Sequence, residues 1–346
     1  MSTNWETADI LKAPMEVCWQ FDYAIGSEKL KSLYSKAKKY QWEADSHLDW
    51  TQTVDPSRPL MGDAVGVFVF RVPLVQKLNA SQQDTLRAHL TAHQLSQILH
   101  GEQGALMTAA TLTHAVPDYE GKLFGATQTM DEARHVEVFE RYIRKLAIVY
   151  PMGPLKTLID IILTANHWVK VAIGMNMIVE SMALATFHNV LQVTPCPLLR
   201  KLMQSVLRDE SRHVAFGALY VARTIADMHP DEREDIADFA FSAVEMIVRH
   251  EVSTPPNAAF LQLLDNCSID RDDFAKSVQE LVASGEKFET PLDRVHAMRH
   301  LTLPALVRVG AVTERTRKRF AEARIQVWDD NSTLEQFEAA NAPNWT

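Results

Sequence analysis

The hexapeptide Asp131-Glu132-Ala133-Arg134-His135-Val136 recurs 78 residues later as Asp209-Glu210-Ser211-Arg212-His213-Val214. Within each copy Glu and His are three apart, about 60° from each other on one helix face, where both can grip a single cation. A di-metal carboxylate site in a four-helix bundle also needs one Glu from each of two further helices. Glu102 stands 30 residues before Glu132, and Glu180 stands 30 residues before Glu210. Midway within each pair lies a proline in a turn-forming stretch, Pro117 in the first and Pro195 in the second. Proline interrupts a helix by removing an N–H donor and clashing with the preceding turn. Two antiparallel helical hairpins result, and residues equidistant from the turn of a hairpin lie at one height. The spacing predicts six converging metal ligands: Glu102, Glu132, His135, Glu180, Glu210 and His213.

The faces that carry the lone glutamates are largely apolar. Glu102 shares its face with Thr91, Leu95, Ile98, Ala105 and Ala109, and Glu180 shares its own with Asn176, Met177, Ala183, Leu184 and Phe187. An unpaired buried carboxylate costs on the order of several kcal/mol, and whole domains are stable by only about 5–15 kcal/mol. Four such groups together require cations, and two divalent ions balance them. Asp131, Asp209, Arg134 and Arg212 then form an outer, internally neutral layer. Ligating histidines commonly donate their other ring N–H to a carboxylate, and the Asp before each Glu is the expected partner. Nitrogen and oxygen ligands without a thiolate suit iron or manganese better than zinc.

The pattern Glu…Asp-Glu-x-Arg-His…Glu…Asp-Glu-x-Arg-His over residues 85 to 220 resembles the ferritin-like carboxylate-bridged di-iron superfamily. Its branches include bacterial multicomponent monooxygenase hydroxylases, acyl-carrier-protein desaturases, arylamine N-oxygenases and ribonucleotide reductase small subunits. The resemblance implies an all-α, ferritin-like four-helix bundle with additional N- and C-terminal helices. It also implies two iron ions, or a mixed Mn/Fe pair, with dioxygen as co-substrate, and a homodimer. Individual branches are matched incompletely. Phe139 stands where the ribonucleotide reductase subunits carry their radical tyrosine, Leu184 and Ala183 where hydroxylases and desaturases carry a threonine. Val206 stands where the arylamine N-oxygenases add a third histidine. Residues one turn from the metals, namely Ala105, Leu106, Phe139, Asn176, Ala183, Leu184 and Phe187, are expected to line a pocket for a small apolar or aromatic substrate. The function expected is hydroxylation or N-oxygenation of such a molecule. The alternative is an iron-binding or iron-oxidising protein without substrate turnover, or a radical-type di-metal protein.

The 346 residues divide by composition into an N-terminal arm and short helix (1–80), the bundle (81–228) and a helical extension of the same domain (229–346). No glycine-rich dinucleotide or phosphate loop occurs among the 12 glycines, so electrons must come from an external reductase or ferredoxin. Cys18, Cys196 and Cys267 form no Cys-x-x-Cys pair, which argues against disulfides and points to a reducing cytoplasm. A net charge of -9 disfavours nucleic acid. The N-terminus carries no basic segment followed by an apolar core. The most apolar region, Leu155 to Leu191, contains Lys156, Asp160, Lys170 and Glu180 and reads as bundle core rather than membrane span.

Locally, residues 28–43 read as an amphipathic helix whose Lys29, Lys31, Lys36, Lys38 and Lys39 form a solvated face or a docking patch for an acidic electron donor. Trp42 and Trp50 read as packing anchors. Helices are expected from Ser81, capped by Ser81 and Asp84, to Thr113; from Glu120 to Val149; over 155–191; and over 197–228. His89, His93 and His100 point away from Glu102 and read as an outer or interface stripe. Beyond Pro230 an acidic turn, Asp231 to Glu234, opens further helices. A break falls at Thr254-Pro255-Pro256, a basic stretch runs from Arg315 to Arg324, and the last twenty residues read as a tail.

Overall fold

The computed structural model describes residues 9–58, 60, 67–253, 258–285, 295–329, 331, 332 and 335. Among them the structure is helical throughout, without a strand. An extended arm leads into α1 (Glu28–Lys39), followed by three short helices: α2 (Ala44–His47), α3 (Val67–Arg71) and α4 (Pro73–Gln76). The first long hairpin is α5 (Ala80–Ala115) and α6 (Tyr119–Arg144), with Pro117 in its turn. After α7 (Leu155–Leu163) comes a helix from Trp168 to Val193 in three parts: α8 (Trp168–Ala172), a π-helical segment (Ile173–Val179) and α9 (Glu180–Val193). It pairs with α10 (Pro197–Asp227) across the turn that holds Pro195, and α5, α6, α9 and α10 make up the bundle. α11 (Pro230–Ser253), α12 (Ala258–Asn266), α13 (Arg271–Ala283), a second π-helical segment (Ala297–Thr302), α14 (Leu303–Arg308) and α15 (Glu314–Glu322) complete the chain.

The helix limits differ from the sequence expectation in four places, the first being α1, which ends at Lys39 with Tyr40 as its C-cap rather than running to residue 43. α5 is capped by Asn79 and Gln82, whose side chains each accept from the other's backbone N–H, rather than by Ser81 and Asp84. Gln has the reach a capping box needs, and Asp84 instead pairs with Arg87 at 2.9 Å. α6 ends at Arg144 rather than near Val149, because Tyr150 is drawn wholly inside. Its N–H donates to Ser96 Oγ (2.9 Å), its carbonyl lies 2.8 Å from His100 Nε2, and its hydroxyl lies 2.5 Å from His89 Nδ1. His93 meets the same ring edge-on, so the three histidines clasp this loop instead of forming an outer stripe. The expected helix over 155–191 breaks at Thr164, and His167 caps its second part by accepting from the Val169 N–H.

The stretch Trp168–Val193 is long and apolar enough to cross a membrane, but 83% of its most apolar window is buried by its neighbours, as in a core helix. Glycines let α7 approach the bundle: a Cβ on Gly174 would stand 2.5 Å from Ile162 Cγ1. Gly174→Val is expected to lower stability by about 1–3 kcal/mol, as overpacking of a full core does, measurable as a reduced denaturant midpoint at unchanged slope. In the C-terminal part, Arg315 of the basic stretch binds Glu234 and Asp238 of α11, both at 2.7 Å. The expected break at 254–256 lies outside the described residues, as does most of the tail.

Candidate metal centre

The bundle brings Glu102 from α5, Glu132 and His135 from α6, Glu180 from α9, and Glu210 and His213 from α10 to one level. All six are buried, the most exposed at 5%. They form two clusters whose ligand atoms lie within 4.8 Å of one another: Glu102, Glu132, His135 and Glu210 in one, Glu132, Glu180, Glu210 and His213 in the other. Glu132 and Glu210, the carboxylates of the repeated hexapeptide, belong to both.

Each histidine turns Nδ1 toward the carboxylates. His135 Nδ1 lies 3.1 Å from Glu102, 3.2 Å from Glu132 and 3.1 Å from Glu210; His213 Nδ1 lies 3.1 Å from Glu132 and 3.4 Å from Glu210. The opposite nitrogens face the repeated aspartates, but crosswise. His135 Nε2 is 3.2 Å from Asp209, and His213 Nε2 is 3.3 Å from Asp131. Arg134 binds Asp131 (2.5 Å) and Asp209 (3.0 Å), and Arg212 binds both as well. Two buried arginines thus match two buried aspartates, and the four glutamates remain in excess by the charge that two divalent cations supply.

Electrostatics within the cluster reflect that excess. Burial, together with the charge of Glu210, pushes Glu102 and Glu180 well above the usual carboxylate range. Burial acts on Glu132 in the same sense, but His213 and His135 outweigh it and hold that carboxyl low. Burial disfavours charge on the histidines too; Asp209, Glu102 and Glu132 nevertheless hold His135 well above 6.5, and Glu132, Glu210 and Asp131 do the same for His213. Both Glu210 oxygens and His213 Nδ1 are buried without a hydrogen-bond partner. Buried polar atoms are seldom left so. Orphaned donor atoms, an unbalanced set of four carboxylates, and imidazoles oriented from behind by carboxylates together fit a pair of divalent transition-metal ions.

Gln41 and Gln128 at the site were not singled out by the sequence, and Trp42, read there as a packing anchor, also takes a polar role. Trp42 donates its indole N–H to Asp209 at 2.7 Å and stacks under the Arg134 guanidinium, while Gln41 donates to Asp131 and accepts from Arg134, both at 2.7 Å. Both follow α1, and only tertiary packing brings them here. Gln128 lies one turn before Glu132 on the same face, a legible spacing, and donates to Glu180 at 2.7 Å.

A cavity of about 140 Å³ opens on the cluster, lined among others by Glu102, Glu180, Glu210, Ala105, Ala183 and Met175. Of the expected pocket residues, Ala105 and Ala183 line it. Phe139 and Phe187 stack on each other in the core, Leu184 is buried, Leu106 is half-buried, and Asn176 bonds Glu180.

A helical bundle holding two carboxylate–histidine clusters with two glutamates in common defines a ferritin-like di-metal oxidase or oxygenase. Within that class the chain belongs to the family described as "P-aminobenzoate N-oxygenase AurF", whose model matches residues 26–287, three quarters of its length. It does so although Val206 occupies the position of the third histidine. Among solved structures the chain is similar to an R2-like ligand-binding oxidase with an aerobically reconstituted Mn/Fe cofactor, at 18% identity and TM-score 0.47, covering 83% of this chain and 93% of that one. A single-residue variant of an R2-like ligand-binding oxidase, reconstituted anaerobically with Mn/Fe, gives 18% identity and TM-score 0.49, covering 85% and 95%. No curated protein matches the chain.

Proposed function

We propose that the protein is a dioxygen-dependent di-iron monooxygenase that N-oxygenates or hydroxylates a small, uncharged aromatic compound. Glu102 and His135 would hold one metal, Glu180 and His213 the other, and Glu132 and Glu210, which belong to both clusters, could serve either. The observation that carries this reading is the apolar cavity opening directly on Glu102, Glu180 and Glu210. When bound, the metal pair supplies the reduction of dioxygen: one oxygen atom enters the substrate and the other leaves as water, with two electrons and two protons consumed. The crossed Asp131 and Asp209 pairs fix which histidine nitrogen would face the metals.

Substrate size and charge follow from the walls. An apolar cavity of about 150 Å³ holds one benzene ring, so about 140 Å³ suits a monocyclic compound. Among the described residues no Lys, Arg or His lines it. Gln97 is occupied by the 151–153 loop and Thr186 by the Met182 carbonyl. A substrate carboxylate, such as that in the family's name, would find no Lys, Arg or His among the described lining residues to pair with, and the charge of the two metals would already be balanced by the four glutamates. A neutral arylamine fits better, its amino end toward the carboxylates.

Electrons come from an external donor, and the exposed lysines of α1 offer an acidic donor a docking face. The active form is read as a homodimer.

The test is oxygen uptake by the reduced, iron-loaded protein with neutral arylamines and arenes, with product mass measured in isotopically labelled dioxygen. Substrate-dependent uptake with one labelled oxygen in the product is expected. Uptake tracking added ferrous iron alone would favour an iron oxidase instead. Ala183→Phe, which fills the cavity, should lower substrate-stimulated uptake at least about 10-fold while leaving two metals per chain, since loss of near-attack positioning alone costs that much or more.

A further inference from the structure

The 78-residue repeat relates the two metal positions by an approximate twofold operation, and the residues beside the two lone glutamates depart from it. Beside Glu180, Gln128 Nε2 donates to Oε1 at 2.7 Å, and Asn176 Nδ2 lies 3.2 and 3.3 Å from the two oxygens. Asn176 also donates to Gln128 Oε1 at 3.1 Å, locking the two amides together. The repeat maps Gln128 onto Val206 and Asn176 onto Ile98. Glu102 therefore has an aliphatic side chain at each position where Glu180 has an amide. Backbone follows side chain. Asn176 sits within the π-helical segment Ile173–Val179, whereas its counterpart lies in the unbroken α-helix of α5. Space for Asn176 comes from Gly217, where a Cβ would fall 2.6 Å from Asn176 Cβ; the repeat counterpart of Gly217 is Phe139. Short π segments in helices recur at functional positions.

We infer that Gln128 and Asn176 are positioning residues that make the two metal positions inequivalent: the Glu180–His213 position is pre-ordered and fills first, and the Glu102–His135 position is the weaker one, whose carboxylate is free to change its mode of binding. This rests on the metal-site reading proposed above. A carboxylate held at both oxygens before the ion arrives loses little freedom on binding, whereas Glu102, whose one hydrogen-bond partner among the described residues is His135 Nδ1, must be ordered by the ion itself. Ile98 lines the substrate cavity. The mobile carboxylate is thus also the one with the aliphatic, substrate-facing neighbour.

The experiment is anaerobic titration of the metal-free, full-length protein with Mn²⁺, followed by calorimetry and electron paramagnetic resonance. The wild type should bind two ions in separate steps at least about 10-fold apart, the first giving an uncoupled Mn²⁺ signal and the second a coupled pair. Gln128→Leu and Asn176→Leu, which remove the amide and keep a branched side chain, should weaken the first step about 10–100-fold, as loss of a residue supporting a ligand does. The second step should weaken less, because of the two amides only Gln128 reaches a shared glutamate, Glu132 at 3.3 Å, and circular dichroism should show the metal-free helical fold retained. Val206→Gln should narrow the gap from the other side by strengthening the weaker step. A single two-ion step in the wild type, or equal weakening of both steps in the variants, overturns the inference while leaving a two-metal site. Failure of the wild type to bind two ions overturns the metal-site reading and the inference with it.

Discussion

Glu210→Gln will strip both metal ions from the protein, whereas Glu102→Gln will remove one. The difference follows from sharing: Glu210 belongs to both ligand clusters and Glu102 to only one. Gln keeps the shape of Glu, so the fold is retained, but a neutral amide cannot balance a divalent ion in a site where every ligand is buried. Affinity for each ion should fall in Glu210→Gln by more than about 100-fold, beyond what loss of a merely supporting residue costs. Glu132→Gln should behave alike, and Glu180→Gln should resemble Glu102→Gln. Metal analysis after gel filtration decides the matter; one ion retained in Glu210→Gln would mean that the clusters are independent.

The metal-free protein will lose stability as pH rises through neutrality, and metal will reverse that trend. Glu102 and Glu180, raised above the usual carboxylate range by burial and by Glu210, contribute stability that is complete below 4.5 and is lost as pH climbs through their folded values. His135 and His213, raised by the carboxylates around them against the effect of burial, act in the same sense above 6.5. Glu132 and Asp209 have the opposite sign, since their lowered values withdraw stability only as pH falls. Each proton that the folded state keeps and the unfolded chain has released costs about 1.4 kcal/mol per pH unit. Thermal unfolding in a chelator from about pH 6 to about pH 9 should show a falling midpoint. With Mn²⁺ present the midpoint should hold or rise, because binding displaces those same protons. A metal-free midpoint that is flat or rises with pH would contradict this charge balance.

The bundle and its six inward residues were legible because periodicity and turn chemistry act locally. Pro117 and Pro195 fix the hairpin turns, and equal spacing on each side fixes the height of every ligand. What escaped was tertiary. Trp42 and Gln41 lie about 90 residues or more from Asp131 and Asp209, and no local pattern joins them; an indole N–H that must find an acceptor when buried was the only signal. The crossed pairing of each histidine with the other copy's aspartate depends on how α6 meets α10, which spacing within one helix does not determine. Tyr150 and the π-helical segment also went unread, because both exchange regular hydrogen bonding for burial that a single chain segment does not display. The pocket followed the same rule: Ala105 and Ala183 could be placed by helical phase, whereas Phe139 and Phe187 found each other instead.

On this reading one dinuclear centre sits between the two hairpins. Anomalous scattering at the iron edge from crystals of the iron-loaded protein tests it most directly. Two peaks per chain are expected, one beside Glu102 and His135, the other beside Glu180 and His213, with Glu132 and Glu210 near both. A single peak, or iron bound away from the repeated hexapeptides, would contradict it.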